Sequence, residues 1–141
     1  TKMKETNTVI GGEGNGGVIY PESHYGRDAL VGVGLFLSHF VAEGKSMTVL
    51  KATYPQYFIS KNKLTLSPDM DVDKILEGLK KKYASEEITD IDGVKIDFKD
   101  GWVHLRKSNT EPIIRIYSES KDEAAANQLA EEVIKVAQSL Y

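Results

Sequence analysis

Two Asp-Gly pairs, Asp92-Gly93 and Asp100-Gly101, divide one stretch of the chain into three short apolar runs. Glycine enters the left-handed backbone conformation of a tight hairpin without steric cost, and Asp-Gly is a strong two-residue turn signal. Residues 88–91, 94–98 and 102–106 are therefore predicted as successive antiparallel strands. Val94, Ile96 and Phe98 alternate with Lys95 and Asp97, the period-two pattern of a sheet with one buried face. Such a face needs a cover. Asp71 can cap a helix carrying Val72, Ile75, Leu76, Leu79 and Tyr83 on one side. Ser120-Lys121-Asp122-Glu123 has capping-box spacing and is expected to open a last helix running to about Leu140. Its buried side would hold Leu129, Ala130, Val133, Val136, Ala137 and Leu140. With strands at 57–66 and 113–119 added, the order from Tyr57 is β-α-β-β-β-β-α. This is an α+β domain: an antiparallel sheet with two covering helices.

The preceding residues differ in character. Ala29 to Val41 is strongly apolar, with residues 30, 33, 37 and 40 at helical spacing, so a helix buried over most of its circumference is expected. Arg27 or Asp28 opens it and Gly44 stops it. A short helix over 46–53 ends before Pro55, which places the domain boundary near residue 54.

The 141 residues fit one domain, or one plus a piece of another, at roughly 100–200 residues per domain. With 18 Lys+Arg against 21 Asp+Glu the formal charge is −3, which disfavours nucleic acid and anionic membranes as partners. A single Trp weakens an RNA-binding α+β reading further. There is no cysteine, which removes disulfides, thiolate zinc sites and thiol catalysis, and three His are too few for a His-rich metal centre. His39 and His104, one on the apolar helix and one in a strand, are expected to be structural. No run approaches the roughly 18 apolar residues of a membrane span. Thr1-Lys2-Met3-Lys4-Glu5 lacks the apolar core of a signal peptide. A soluble, cytoplasmic location is expected.

Two loops offer chemistry. Arg106-Lys107-Ser108-Asn109-Thr110-Glu111-Pro112 supplies two hydroxyls, an amide and a run of backbone N–H groups, bracketed by Arg106 and Arg115. Donors outnumber acceptors, as a phosphate dianion requires, and guanidinium groups bind phosphate through forked, charge-assisted bonds. The same residues equally suit a hairpin whose Ser, Asn and Thr satisfy their own backbone. The other loop, Gly11 to Gly17, holds five of the 12 glycines. Its only acid, Glu13, can accept from two adjacent hydroxyls of a sugar ring, and Asn15 can both donate and accept. A flexible turn is the alternative there. A phosphate cradle is the poorer fit, because Glu13 would repel the anion. Hydroxyls on one loop and phosphate on the other suggest a sugar phosphate.

The segment from Arg106 to Tyr117 resembles the phosphate-binding loop of the α-D-phosphohexomutases, R-x-S-[GN]-T-E-P-x-x-R, at every fixed position. Gly12-Glu13-Gly14-Asn15-Gly16 resembles the G-E-x-S-G sugar-binding loop of the same enzymes' third domain, with Asn15 in place of the usual Ser. The two motifs stand in family order, so the likeness covers essentially the whole chain. It implies that residues 1–54 are the helical tail of the α/β third domain and residues 55–141 the fourth domain, with a TBP-like fold. It implies an enzyme that moves phosphate between the 1- and 6-positions of a hexose, through a phosphoserine and a hexose 1,6-bisphosphate intermediate. Glu13 and Asn15 would hold ring hydroxyls; Arg106, Ser108, Asn109, Thr110 and Arg115 would grip the phosphate that is not being transferred.

The phosphoserine loop and the D-x-D-x-D loop for Mg²⁺ belong to other domains of such enzymes and are not found here. Asp69-Met70-Asp71-Val72-Asp73 has the letters of the second, but fits the acidic start of a helix. The resemblance thus implies a C-terminal fragment, inactive alone and lacking its N-terminal domains. Gly17 stands where many relatives carry a His; His24, just ahead of Arg27 and Asp28, is the substitute candidate for acid–base work, and Arg27 could line the cleft. Phosphoglucomutase or phosphomannomutase is the leading expectation, with a phosphoglucosamine mutase fragment or a stand-alone anion-binding module as alternatives.

Overall fold

The computed structural model describes residues 2–12, 16–67 and 70–140. The chain divides into two compact units, Thr1–Pro55 and Gln56–Tyr141.

The first unit begins with a short helix, α1 (Lys2–Glu5), and a two-stranded antiparallel ribbon of β1 (Gly11–Gly12) and β2 (Val18–Ile19), paired Gly11 to Ile19 and Gly12 to Val18. Helix α2 (Ala29–Glu43) follows. Of the two proposed openers, Asp28 is the cap: its Oδ1 accepts from the Val31 N–H at 3.0 Å, and its own N–H donates to the Val18 carbonyl at 2.8 Å. Gly44, at φ 61°, closes the helix with an N–H donated to the Val41 carbonyl. Helix α3 (Met47–Ala52) is capped by Ser46 and buries Leu50.

The expectation that α2 is buried on most sides is corrected. None of its residues is fully buried; Leu30 is 84% and Val41 76% exposed, and Val33, Phe36 and Leu37 also face outward. Among the described residues of this unit the β2 strand and α3 are its main packing partners, too few to cover so broad an apolar surface.

The second unit is a five-stranded antiparallel sheet in the order β3-β7-β6-β5-β4, formed by β3 (Phe58–Thr65), β4 (Glu87–Thr89), β5 (Val94–Phe98), β6 (Gly101–Lys107) and β7 (Ile113–Ser120). Helices α4 (Val72–Lys82) and α5 (Glu123–Gln138) cover one face. Alternation decides which side chains meet them. Val94, Ile96, Val103, Leu105, Ile114 and Ile116 point inward and join Ile75, Leu79, Val133 and Ala137 in one continuous core. Tyr83 meets Phe98 edge to face at its margin, with ring centroids 5.5 Å apart. Residues of the opposite parity share the other face, where Lys61, Tyr117, His104 and Lys95 form one cross-strand row.

The capping box expected at Ser120 is corrected too. Asp122 caps α5, its Oδ1 accepting from the Ala125 N–H at 2.8 Å. Ser120 ends β7, and its hydroxyl donates instead to the Asp100 carbonyl at 2.7 Å, pinning the β5–β6 turn. Two residues earlier on β7, the buried Ser118 hydroxyl donates to the Ala126 carbonyl at 2.7 Å and ties α5 to the sheet.

Candidate functional site

The loop between β6 and β7 sits where the two strands bring their arginines together. Arg106 pairs with Arg115 in the β6–β7 register, and Arg115 pairs with Lys63 of β3 on its other side. Directly opposed residues share a face, so three cations stand abreast at one end of the sheet's open face. Within the loop, the Ser108 N–H donates to the Ile113 carbonyl at 3.0 Å and the Ile113 N–H to the Glu111 carbonyl at 2.8 Å. The Pro112 carbonyl accepts from the Leu66 N–H at 2.9 Å, which anchors the loop to the end of β3.

The hydroxyls make only long contacts. Ser108 Oγ accepts from the Thr110 N–H at 3.4 Å and lies 3.5 Å from Thr110 Oγ1. These distances are well beyond the usual hydroxyl optimum, so the local turn bonding weighed from sequence is present but weak. Asn109 and Thr110 are exposed.

Both guanidinium groups carry a carboxylate. Arg106 Nη1 donates to Asp92 Oδ2 at 2.9 Å, and Arg115 Nη2 lies 3.7 Å from Glu111 Oε2. All four side chains are substantially exposed, so each pair contributes little to stability, about 0–1 kcal/mol. Lys63 and Asp92 were not singled out from the sequence. Lys63 joins the row only through strand register, and in the sequence Asp92 carries no signal beyond its Asp-Gly turn.

In the first unit, Glu13 and Asn15 lie outside the described residues. Beside that position, Gly16, Gly17, Val18, Arg27, Asp28 and Ala29 border an open hollow, which places Arg27 on its rim. His24 Nδ1 accepts from the Gly26 N–H at 3.0 Å, so neutral His24 carries its proton on Nε2 and donates it to Asp28 Oδ2, also at 3.0 Å. Both ring nitrogens are thus engaged in holding the turn that leads into α2. The Val31 N–H, and after it His24, hold the Asp28 carboxyl below the usual aspartate range. His39 meets the Tyr54 hydroxyl at 3.0 Å, and His104 Nε2 donates to the Asp92 carbonyl at 2.6 Å.

Among the described residues no three His, Asp or Glu side chains gather in a way that would hold a metal ion. Asp71 caps α4, accepting from the Lys74 N–H and also from the Asp73 N–H, which holds its carboxyl below the usual aspartate range. Among the same residues no helix is long and apolar enough to cross a membrane.

An open antiparallel sheet under two helices, with an arginine-bracketed Ser-Asn-Thr loop joining two of its strands, defines an α+β class of domain. Residues 63–136 match the family described as the C-terminal domain of phosphoglucomutase/phosphomannomutase, and residues 1–57 match its alpha/beta/alpha domain III. The chain belongs to the phosphoglucomutase/phosphomannomutase family. It is 39% identical to a phosphoglucosamine/phosphogalactosamine mutase of Sulfurisphaera tokodaii over 96% of its length, covering 30% of that protein. It is 41% identical to a phosphoglucomutase/phosphomannomutase of Thermococcus kodakarensis over 95% of its length, covering 29% of that protein. Among solved structures, a phosphoglucomutase/phosphomannomutase family protein of Burkholderia thailandensis superposes on 97% of the chain with a TM-score of 0.68 and 25% identity, the chain covering 30% of it. The chain therefore spans about 30% of the length of these relatives.

Proposed function

We propose that this chain is the C-terminal part of a cytoplasmic phosphohexomutase that interconverts hexose 1-phosphates and 6-phosphates through a phosphoserine and a hexose 1,6-bisphosphate. The first unit would read ring hydroxyls through Glu13 and Asn15. The second would hold the phosphate that stays in place, through Arg106, Ser108, Asn109, Thr110 and Arg115. The observation that carries this reading is the direct opposition of Arg106 and Arg115 beside a loop whose hydroxyls are only weakly engaged. Two like charges face to face are unfavourable until an anion joins them, and a phosphate dianion offers each guanidinium a pair of oxygens. Lys63 extends the same row and adds a point charge. Gripping a remote phosphate supplies orientation for transfer at the other end of the sugar.

In this reading the Mg²⁺ ligands and the phosphoserine lie in other domains of the enzyme, and no step here runs through them. The engagement of both His24 nitrogens makes it a holder of the α2 entry before it is an acid or base; accepting a proton at Nδ1 would first require release of the Gly26 N–H, and giving one from Nε2 would require leaving Asp28.

Titration calorimetry of the chain with glucose 6-phosphate tests the reading. Binding that is lost on Arg115→Ala supports it; unchanged affinity removes Arg115 from the site. Steady-state assay of a longer polypeptide bearing all four domains, with glucose, mannose and glucosamine phosphates, decides the sugar. Relatives of both named specificities lie at similar identity, which leaves that choice to the assay.

A further inference from the structure

The turn between β4 and β5 delivers a carboxylate to the guanidinium that the phosphate loop is proposed to use. Asp92 Oδ2 accepts from Arg106 Nη1 at 2.9 Å, while the Asp92 carbonyl accepts from His104 Nε2 at 2.6 Å. Its neighbour Gly93 has φ 77°, and a Cβ there would collide with the Leu105 carbonyl oxygen and crowd Arg106 Cα. The turn backbone is thus pressed against β6 at the root of Arg106, as only glycine permits. Backbone apposition, the histidine bond and the ion pair converge on one placement of Asp92, which lies outside the 106–115 segment in sequence.

We propose that Asp92 is a built-in counter-anion of the phosphate site, a residue that sets its affinity. It occupies Arg106 when no ligand is present, and an entering phosphate monoester must displace it from Nη1. The charge arithmetic supports this role. Lys63, Arg115 and Arg106 stand abreast, and Glu111 serves Arg115 as Asp92 serves Arg106. The carboxylates offset the cation row when the site is empty and weaken its grip when it is full. A site that must take up and give back a phosphate in each cycle benefits from such an exchangeable partner. The inference rests on reading the Arg106–Arg115 loop as a phosphate site.

The test follows the backbone amides of Ser108 to Thr110 by NMR while inorganic phosphate is titrated into the full 141-residue chain. Asp92→Asn is expected to tighten binding about two- to five-fold, the range of an exposed ion pair. Asp90→Asn removes the same charge two residues away, from a carboxylate paired with Lys80 at 3.0 Å, and should leave the affinity unchanged. In an Arg106→Gln background the gain from Asp92→Asn should vanish. Unchanged or weaker binding by Asp92→Asn overturns the proposal, as does an equal gain from Asp90→Asn, which would be a bulk charge effect. Persistence of the gain without Arg106 overturns it as well. A wild-type chain whose loop amides ignore phosphate overturns the phosphate-site reading itself, a result distinct from the others. Should Asp92→Asn lose its native amide dispersion, Asp92→Ser carries the same comparison.

Discussion

Arg106 on β6 and Arg115 on β7 are direct cross-strand partners, so two positive side chains rise side by side from the same face of the sheet. Placing like charges in register is unfavourable by itself. The row is tolerated because Asp92 and Glu111 each bring a carboxylate to it.

Arg115→Ala should separate binding from stability. Loss of a charged hydrogen bond to phosphate corresponds to about 1.5–3 kcal/mol of binding free energy. The same change relieves repulsion with Arg106 and Lys63, so unfolding stability should stay within about 0.5 kcal/mol of wild type. Calorimetry with glucose 6-phosphate and a urea melt on the same samples check both halves.

Lys63→Ala should weaken phosphate binding less, about two- to five-fold, because Lys63 is exposed and contributes a screened point charge. The dependence of affinity on salt should become shallower. An affinity that responds to salt as steeply as wild type would remove Lys63 from the site.

Asp28 links acid sensitivity to the start of α2. Its carboxyl is held below the ordinary value by the Val31 N–H and by His24. A carboxyl lowered on folding stabilises the fold above its unfolded pKa, about 3.9, and that contribution is lost as pH falls through the lowered folded value. Asp28→Asn keeps capping ability and removes the charge. It should lower Tm at neutral pH, and the gap to wild type should close in acid; parallel melting curves across pH would refute the linkage.

Gly93→Ala should destabilise the second unit by more than the roughly 1–2 kcal/mol that a left-handed conformation costs a side chain. The added methyl also meets the Leu105 carbonyl. Denaturant unfolding measures the loss, whereas Ala substitution at Gly34 of α2, where nothing lies near a Cβ, should be neutral or stabilising.

The apolar flank of α2 predicts concentration-dependent self-association. Leu30, Val33, Leu37 and Val41 are exposed on one helix, a contiguous surface larger than isolated apolar residues provide. Sedimentation velocity should show association that Leu30→Glu with Val41→Glu suppresses; a monomer at all concentrations would contradict this.

What the sequence disclosed followed from periodicity and turn chemistry. Asp92-Gly93 and Asp100-Gly101 marked the hairpins, and the alternation through Val94, Ile96 and Phe98 oriented β5 correctly. Asp71 as the cap of α4 was equally legible, because capping is a local act of one side chain on nearby N–H groups. Non-local choices were hidden. Ser120 has the spacing of a cap, yet its hydroxyl is taken by a turn twenty residues earlier in the chain. The burial of α2 was overestimated because helical spacing reports which side chains are apolar and not whether a partner is present to cover them. Lys63 and Asp92 joined the arginine row only through strand register and the close approach of Gly93, neither of which leaves a mark in neighbouring residues.

The placement of β3 at one margin of the sheet has a further consequence. A free strand edge is a template for recruiting other chains into fibrillar assemblies, and proteins discourage this with lysines on the edge and with very short terminal strands. Lys61 and Lys63 guard one margin, while β4, only three residues long, offers little to copy at the other. The cation that extends the arginine row therefore also discourages neighbouring molecules from adding a sixth strand.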